Sequence, residues 1–552
     1  MNKKIIIAIL CLLSMITIYF STGLKTITAY PEQPYRLTVL LMPLDSRPAC
    51  TNFVVALGKI ANIKVIVPPS ELLDNYQQPG NKQALINWLQ QQSSSADYAI
   101  ISTDMLIHGG LLNSRLASGS VTDEDNAIIA LQNLHNTNPA LKLFVFNIIP
   151  RLWLPDNNSV YQQQILEYSK LKDKAQQTKS ESDLISLQKL EQTIPSDIIN
   201  SYNALFERNY QLNLKLLQLL ENKVISSLVI GQDDGQQYGI SNIIKQKLYL
   251  AVETLTTKDN VNITRGTDEV ALSMLGQIIG KNTPLKVKVI YNNDDSANII
   301  MPYMPHSVDK TIQEKLKITN LQRVDNDNEA DFILFVNIGT SDNKVEQEQS
   351  STKIKELLKT PTKVALVDLS QHFSATETLL PTLIQNNINI NQLIAYAGWN
   401  TTSNSIGTAL TQSLAFLSEQ KVTTTLPYLK LLYKNNLTFL VSRFYEDYYY
   451  LKEIQPKLSQ YLTAQNIDPA HLKDNYPLAN NFIIKELSAS HNKLSSSKSF
   501  QQEIHIDFNR NGQQNKYQLK IIDNTITAKL PWERIFEVNL QTDLTLSGNL
   551  EN

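Results

Sequence analysis

The chain has 552 residues, 18% of them charged and 42% hydrophobic, with only 17 Gly and 21 Pro. This globular composition excludes a collagen, a disordered chain and a disulfide scaffold. The 50 Lys and Arg nearly balance the 52 Asp and Glu, for a net charge of −2, which removes the electrostatic case for a nucleic-acid partner.

Lys3 and Lys4 precede an apolar run from Ile5 to Phe20. A basic start followed by such a run has the form of a secretory signal. It falls short of the ~20 apolar residues of a spanning helix. Residues 1–29 are therefore expected to be a signal peptide cleaved after Gly23, the alternative being an anchor that tethers the chain to a membrane through residues 5–20. Either way the protein is expected to be exported: periplasmic, cell-surface or secreted. Cys11 reads as an ordinary apolar residue of the run. Cys50 is then the one cysteine left, with no partner for a disulfide and no cluster for zinc. It reads as a buried structural thiol.

Short β-rich runs recur at 37–42, 64–67, 98–102, 143–148 and 227–230, and again at 287–291, 332–337, 363–367 and 393–397. Most are continuously apolar, as parallel strands buried on both faces are. Amphipathic stretches such as 82–92 and 125–134 lie between them. The alternation predicts an α/β class, two doubly wound parallel-sheet domains at 36–280 and 281–424, in preference to a distorted barrel. Residues 155–223, rich in Gln, Lys, Glu and Leu, read as a helical insertion of two long helices broken near Pro195, either a lid over the site or a passive hairpin. A helical region follows at 425–500. At 501–552 alternation takes over, with Asn511 and Gly512 as a turn, and predicts a small antiparallel, sandwich-like β module.

In open α/β sheets ligands bind outside the carboxyl ends of the strands, so the residues after each strand are the site candidates. Asp45, Ser46 and Arg47 follow the first strand between Pro43 and Pro48. Asp104 follows the third, ahead of His108 and the Gly109–Gly110 pair, whose N–H groups are expected near a ligand. Arg115 comes next, and Arg151 follows the fourth strand as a clamp for an anionic group or a partner of a site carboxylate. After the fifth strand stand Asp233 and Asp234, with glycines on either side. Adjacent carboxylates raise one pKa, which suits a general acid beside an ionised partner. Asp268 and Glu269 open a helix that Thr267 is expected to cap. Trp399 and Asn400 close a strand of the second group; Trp399 offers a face for a sugar and Asn400 hydrogen bonds for hydroxyls. Asp368 is a lesser candidate. Arg443, Glu446 and Asp447 read as a helix salt bridge, and the tyrosines around them as packing.

These segments, namely 44–48, 102–105 with 108–111, 114–115, 231–234, 266–269, 397–401 and 443–447, resemble the bacterial domain-of-unknown-function family 4127 over about residues 36–460. The resemblance implies an intact site and no particular reaction. His108 stands where an aromatic such as Tyr is expected, which lowers its claim to catalysis.

The expected function is an exported hydrolase acting on a carbohydrate or glycan by carboxylate chemistry. Asp233, Asp234, Asp268, Glu269 and Asp104 are the catalytic candidates. Asp45, Arg47, His108, Arg115, Arg151, Trp399 and Asn400 are the substrate-binding ones. No cofactor is expected. One alternative is a metal-dependent hydrolase of phosphate or amide bonds, holding a divalent cation on the same carboxylates and His108. The other is a non-catalytic extracytoplasmic sugar-binding protein. No Gly-x-Ser-x-Gly elbow or Gly-x-Gly-x-x-Gly fingerprint supports a serine hydrolase or a nicotinamide enzyme.

Overall fold

A computed structural model of the chain describes residues 25–116, 118–153, 160–510 and 513–550. The apolar run with Cys11, and the turn residues Asn511 and Gly512, lie outside the described residues. Among the described residues no helix is long and apolar enough to cross a membrane.

The chain is α/β. Its first sheet has six parallel strands in the order Ile63–Ile66, Leu37–Met42, Tyr98–Ser102, Lys142–Ile149, Ser227–Gln232, Val261–Arg265. The second has five, in the order Ala395–Ala397, Lys363–Ser370, Phe332–Gly339, Lys286–Tyr291, Gln322–Arg323. Both wind the same way: the second strand of each unit lies outside the first, and the third follows on the first strand's other side. Such a reversal opens a crevice at the carboxyl ends of the strands. The central strands are buried along nearly their whole length, as in Ser227–Gln232, because helices cover both faces.

The strand Val261–Arg265 is absent from the expectations. Its five residues alternate apolar and polar, as an edge strand does, and this short run merges into the helix signal that follows. Among its described residues the insertion forms three helices, Gln162–Thr178, Glu181–Glu191 and Ser196–Glu221. The extra break falls at Lys179, which takes a left-handed φ of 54°. Ser196–Glu221 packs on the first sheet as a crossover layer. Ser169 and Asp173 of the first insertion helix accept N–H bonds from Ile240 and Gly239 at 2.9 and 2.8 Å.

The C-terminal strands Ile504–Arg510, Gln513–Lys529 and Asn539–Leu550 form one antiparallel sheet rather than a sandwich, and Lys25–Thr26 pairs onto its edge. Helices Leu426–Arg443 and Tyr476–Ser495 cover its apolar face, so no second sheet is needed to bury it. Between these two covering helices the backbone widens to π-helical geometry over Phe444–Ile454.

Candidate active site

Loops from both parallel sheets meet in one cleft. Arg47 is its hub. Its Nη2 donates to Asp45 and to Asp268, at 2.6 Å in each case, and its Nε donates to Asp45 at 3.0 Å. The loop after the first strand is thereby fastened to the loop after the sixth. Asn400 and Asn404, from the second unit, reach the same Asp268 Oδ2 at 3.4 Å. Asn400 sits at φ 44°, a left-handed conformation that Asn tolerates. Burial opposes ionisation of Asp45, but the Arg47 guanidinium holds its carboxyl below the usual range. Cys50 lies beneath this pair, buried as expected, and burial pushes its thiol well up.

A second charged group stands alongside. Arg115 grips Asp233 with two parallel bonds, Nε to Oδ2 at 2.7 Å and Nη2 to Oδ1 at 3.0 Å. The N–H of Asp234 donates to Asp233 at 2.8 Å. Burial opposes ionisation of Asp233, but the Arg115 guanidinium holds its carboxyl below the usual carboxylate range. Asp234 goes the other way: burial, then the charge of Asp233, raise its pKa. Its side chain is 31% exposed, against 2% for Asp233, and Arg265 Nη2 lies 3.3 Å away. Arg265 itself is buried under the turn and bonds the carbonyls of Gln232, Asp233 and Tyr303. Arg151 stands close by; among the described residues it has no hydrogen bond or ion pair, and burial followed by the charge of Arg115 lowers its pKa to about 10.

Asp104 is buried near Asp233 of the second group. Its carboxyl accepts from the N–H of Ile148 at 3.1 Å, and burial raises it to about 7. It does not follow the strand in a loop. Thr103–His108 is a short helix that Ser102 caps. The N–H groups of Gly109 and Gly110 are used internally, bonding the carbonyls of Met105 and Asp104, and are not free for a ligand. Gly110 is needed for another reason: its φ is 131°, and a Cβ there would come within 3.0 Å of the Asp74 carboxyl. His108 lines a small cavity with Asp104, Arg208 and Asn209. Its Nδ1 accepts from the N–H of Gly119 at 2.9 Å, and burial lowers its pKa to about 4. It stands apart from Asp45 and Asp268.

Three other expectations change. The helix after Asp268 begins only at Val270, with no side-chain cap, so Thr267 does not cap it. Asp268 and Glu269 precede the helix, and their carboxylates are free to pair elsewhere. Glu269 turns away from the cleft to a fully buried ion pair with Lys315 at 2.5 Å. Its carboxylate packs against Gly266, where any Cβ would overlap it. Trp399 is 5% exposed: its Nε1 donates to Thr408 Oγ1 at 3.2 Å and its ring meets Phe53 edge-on. The face it was expected to offer a sugar is core. Arg443 does pair with Glu446 and Asp447, but inside the protein, over the Phe53 ring, with Asp447 also accepting from the Gly398 N–H. The neighbouring tyrosines are buried packing. Asp368 is a buried latch for the N–H groups of Leu379 and Leu380.

Two site residues have no counterpart in the expectations. Asp74 follows the second strand of the first sheet, whose end carries no compact motif. It accepts from the N–H of Ser46 at 2.7 Å, its other oxygen is buried without a partner among the described residues, and burial raises its pKa to about 8. Trp532, from the segment between the last two strands, donates to Ser46 Oγ at 3.1 Å, and Arg47 lies over its ring at 5.5 Å. The C-terminal β region therefore contributes to the cleft.

As to a metal, ligand atoms of Asp45, Cys50 and Asp268 lie within 4.8 Å of one another. The guanidinium of Arg47 is bonded to both of those carboxylates and offsets part of their charge, and His108 is not part of the group.

The sequence profile of the family described as "Protein of unknown function (DUF4127)" matches residues 39–541. The chain belongs to this family. The match runs past the segments that carry the resemblance in the sequence and takes in Trp532, in keeping with its place against Ser46. Comparison with curated proteins and with solved structures gives no match.

Proposed function

We propose that the protein is an exported hydrolase that cleaves a carbohydrate or glycan by carboxylate acid/base chemistry. The observation that carries this reading is the division of labour between two neighbouring carboxyls. Asp233 is clamped in its ionised form by Arg115, whereas Asp234 has a raised pKa and reaches the cleft. Neighbouring acids with pKa values pushed apart are the usual basis for assigning a proton donor. In glycoside hydrolysis a protonated carboxyl gives its proton to the leaving oxygen, while a second, ionised carboxyl acts as nucleophile or base. Asp234 is the donor in this reading. Asp268, ion-paired to Arg47 and oriented by Asn400 and Asn404, is the ionised partner. Asp104, Arg115 and Asp45 act by positioning. Export rests on Lys3, Lys4 and the apolar run to Phe20.

The test is release of reducing ends from envelope and extracellular glycans by the purified protein. Asp234→Asn should lower turnover about 10²–10⁴-fold, the usual worth of a general acid. Wild-type turnover by Asp234→Asn sinks the assignment. A metal-dependent hydrolase is the second reading, supported by the closeness of Asp45, Cys50 and Asp268. Activity that survives chelation and dialysis separates the two.

A further inference from the structure

Three aromatic rings adjoin one another beside Asp234. Trp153 lies 5.8 Å from Tyr303, and Tyr303 lies 6.2 Å from Phe373, centroid to centroid. They come from three separate segments: the end of a first-sheet strand, the loop before helix Val308–Thr319, and the loop after strand Lys363–Ser370. Tyr303 is 42% exposed and Phe373 37%. Both have left-handed backbones, with φ of 63° and 56°. A bulky residue there is a strained backbone outlier, and such outliers cluster at ligand clamps. Core packing does not account for the strain, because both rings are turned to solvent. The carbonyl of Tyr303 is held by the N–H of Gly235 at 3.1 Å and by Arg265 Nη2 at 2.7 Å. The strip is thus fixed to the Asp233–Asp234 turn.

A cation with no direct ion pair among the described residues stands near each end of the strip. Arg151 is two residues before Trp153 and has no ion pair among the described residues. Lys452 is 6% exposed, lies 5.0 Å over the Phe373 ring, and lines a small cavity with Ser370, Asn400 and Ser405. Lys452 too has no hydrogen bond or ion pair among the described residues. The carboxylates around it are engaged elsewhere: Asp447 with Arg443, Glu377 with His372, and Asp368 with the N–H groups of Leu379 and Leu380. A buried ammonium left unpaired is costly, and a ligand that brings its own anion removes that cost.

We propose that this strip is a subsite for an acidic glycan, in which the rings take the apolar faces of sugar residues and Lys452 and Arg151 take the carboxylates of uronic-acid units. Assigning it to the substrate rests on the hydrolase reading above, and it names the class of polymer. Aromatic rings bury the C–H face of a sugar and leave its hydroxyls to polar neighbours. A neutral glycan satisfies the rings and leaves both cations without a direct ion pair. Single-stranded nucleic acid also combines stacking with cationic contacts, so it is the competing ligand to test.

Binding is measured by calorimetry on the Asp234→Asn protein, so that turnover does not consume the ligand. The probes are oligogalacturonate, oligoalginate and hyaluronan fragments, the carboxyl-reduced form of whichever binds, and an oligonucleotide of similar length. The expected result is binding of at least one of the acidic sugars, about tenfold or more tighter than its reduced form. Lys452→Gln and Arg151→Gln should each erase most of that preference. Phe373→Ala and Tyr303→Gly should weaken charged and reduced forms alike. Gly relieves the positive φ at 303, so a loss of binding there with an unchanged melting temperature reports on the ring and not on folding. Binding to none of the three acidic sugars, equal affinity for charged and reduced forms, or preference for the oligonucleotide overturns the proposal. Binding in the expected pattern with no wild-type turnover of the bound glycan removes the hydrolase reading and leaves the subsite standing.

Discussion

Arg47 and Asp268 are 221 residues apart in sequence and 2.6 Å apart in the cleft. The same guanidinium bonds Asp45, two residues before it. One side chain therefore joins the loops after the first and last strands of this unit and bonds two buried carboxylates. Arg47→Met should destabilise the protein by about 3–5 kcal/mol, because it leaves buried charge unpaired. Arg47→Lys keeps the charge but loses the planar fork that serves both acids. It should also be destabilised, though less. Urea denaturation of the three proteins checks the order.

Burial raises Asp74 to about 8 and Asp104 to about 7 from an ordinary value of 3.8. Between the unfolded and folded pKa values the native state holds more protons than the unfolded one. The stability these groups contribute is complete below about pH 4 and is lost as the pH rises through 7 and 8. Asp74→Asn and Asp104→Asn should therefore gain relative to wild type as the pH is raised from 4 to 9. The wild-type decline over that range should flatten. Denaturation midpoints across the pH series measure this, and parallel curves would refute the assignment of either group.

Removing Asp233 acts in two ways. Asp233→Asn leaves Arg115 in a buried setting without its carboxylate and should cost about 3–5 kcal/mol. It also removes the negative charge that raises the pKa of Asp234. With Asp234 as proton donor, activity falls as that proton is lost. The alkaline limb of the pH–rate profile should then move to lower pH in Asp233→Asn. A limb that stays in place separates Asp234 from the rate-controlling proton.

Trp532 ties the C-terminal segment to the cleft through Ser46. Trp532→Phe keeps most of the ring and should lose about 0.5–1.5 kcal/mol with the hydrogen bond. Trp532→Ala should lose about 3–5 kcal/mol, since the ring is 2% exposed. Thermal and urea unfolding distinguish the two, and equal losses would show that the bond and not the ring matters.

Local pattern carried much of the fold. Buried parallel strands are continuous apolar runs, and all nine expected strands fall within three residues of their observed limits at either end, as at Phe332–Gly339. The ninth begins two residues later than expected, at Ala395, although the Ile394 N–H already bonds the carbonyl of Val364. The strand Val261–Arg265 escaped because its five alternating residues merge into the helix signal that follows. Asp45, Asp104, Asp233 and Asp268 were legible as candidates because each stands just past a strand or before a helix.

Sequence by itself determined the α/β class, the order of the two parallel units and the positions where carboxylates emerge, since hydrophobic period and strand-end chemistry are local properties. Tertiary structure alone decided which of those groups meet. Glu269 and Asp268 are adjacent in sequence, yet one pairs with Lys315 in the core and the other with Arg47 in the cleft. That choice depends on which cation the fold brings within hydrogen-bonding distance. Asp74, Trp532, Tyr303 and Lys452 reach the cleft through long-range packing, and no periodicity or spacing near them encodes a partner tens to hundreds of residues away.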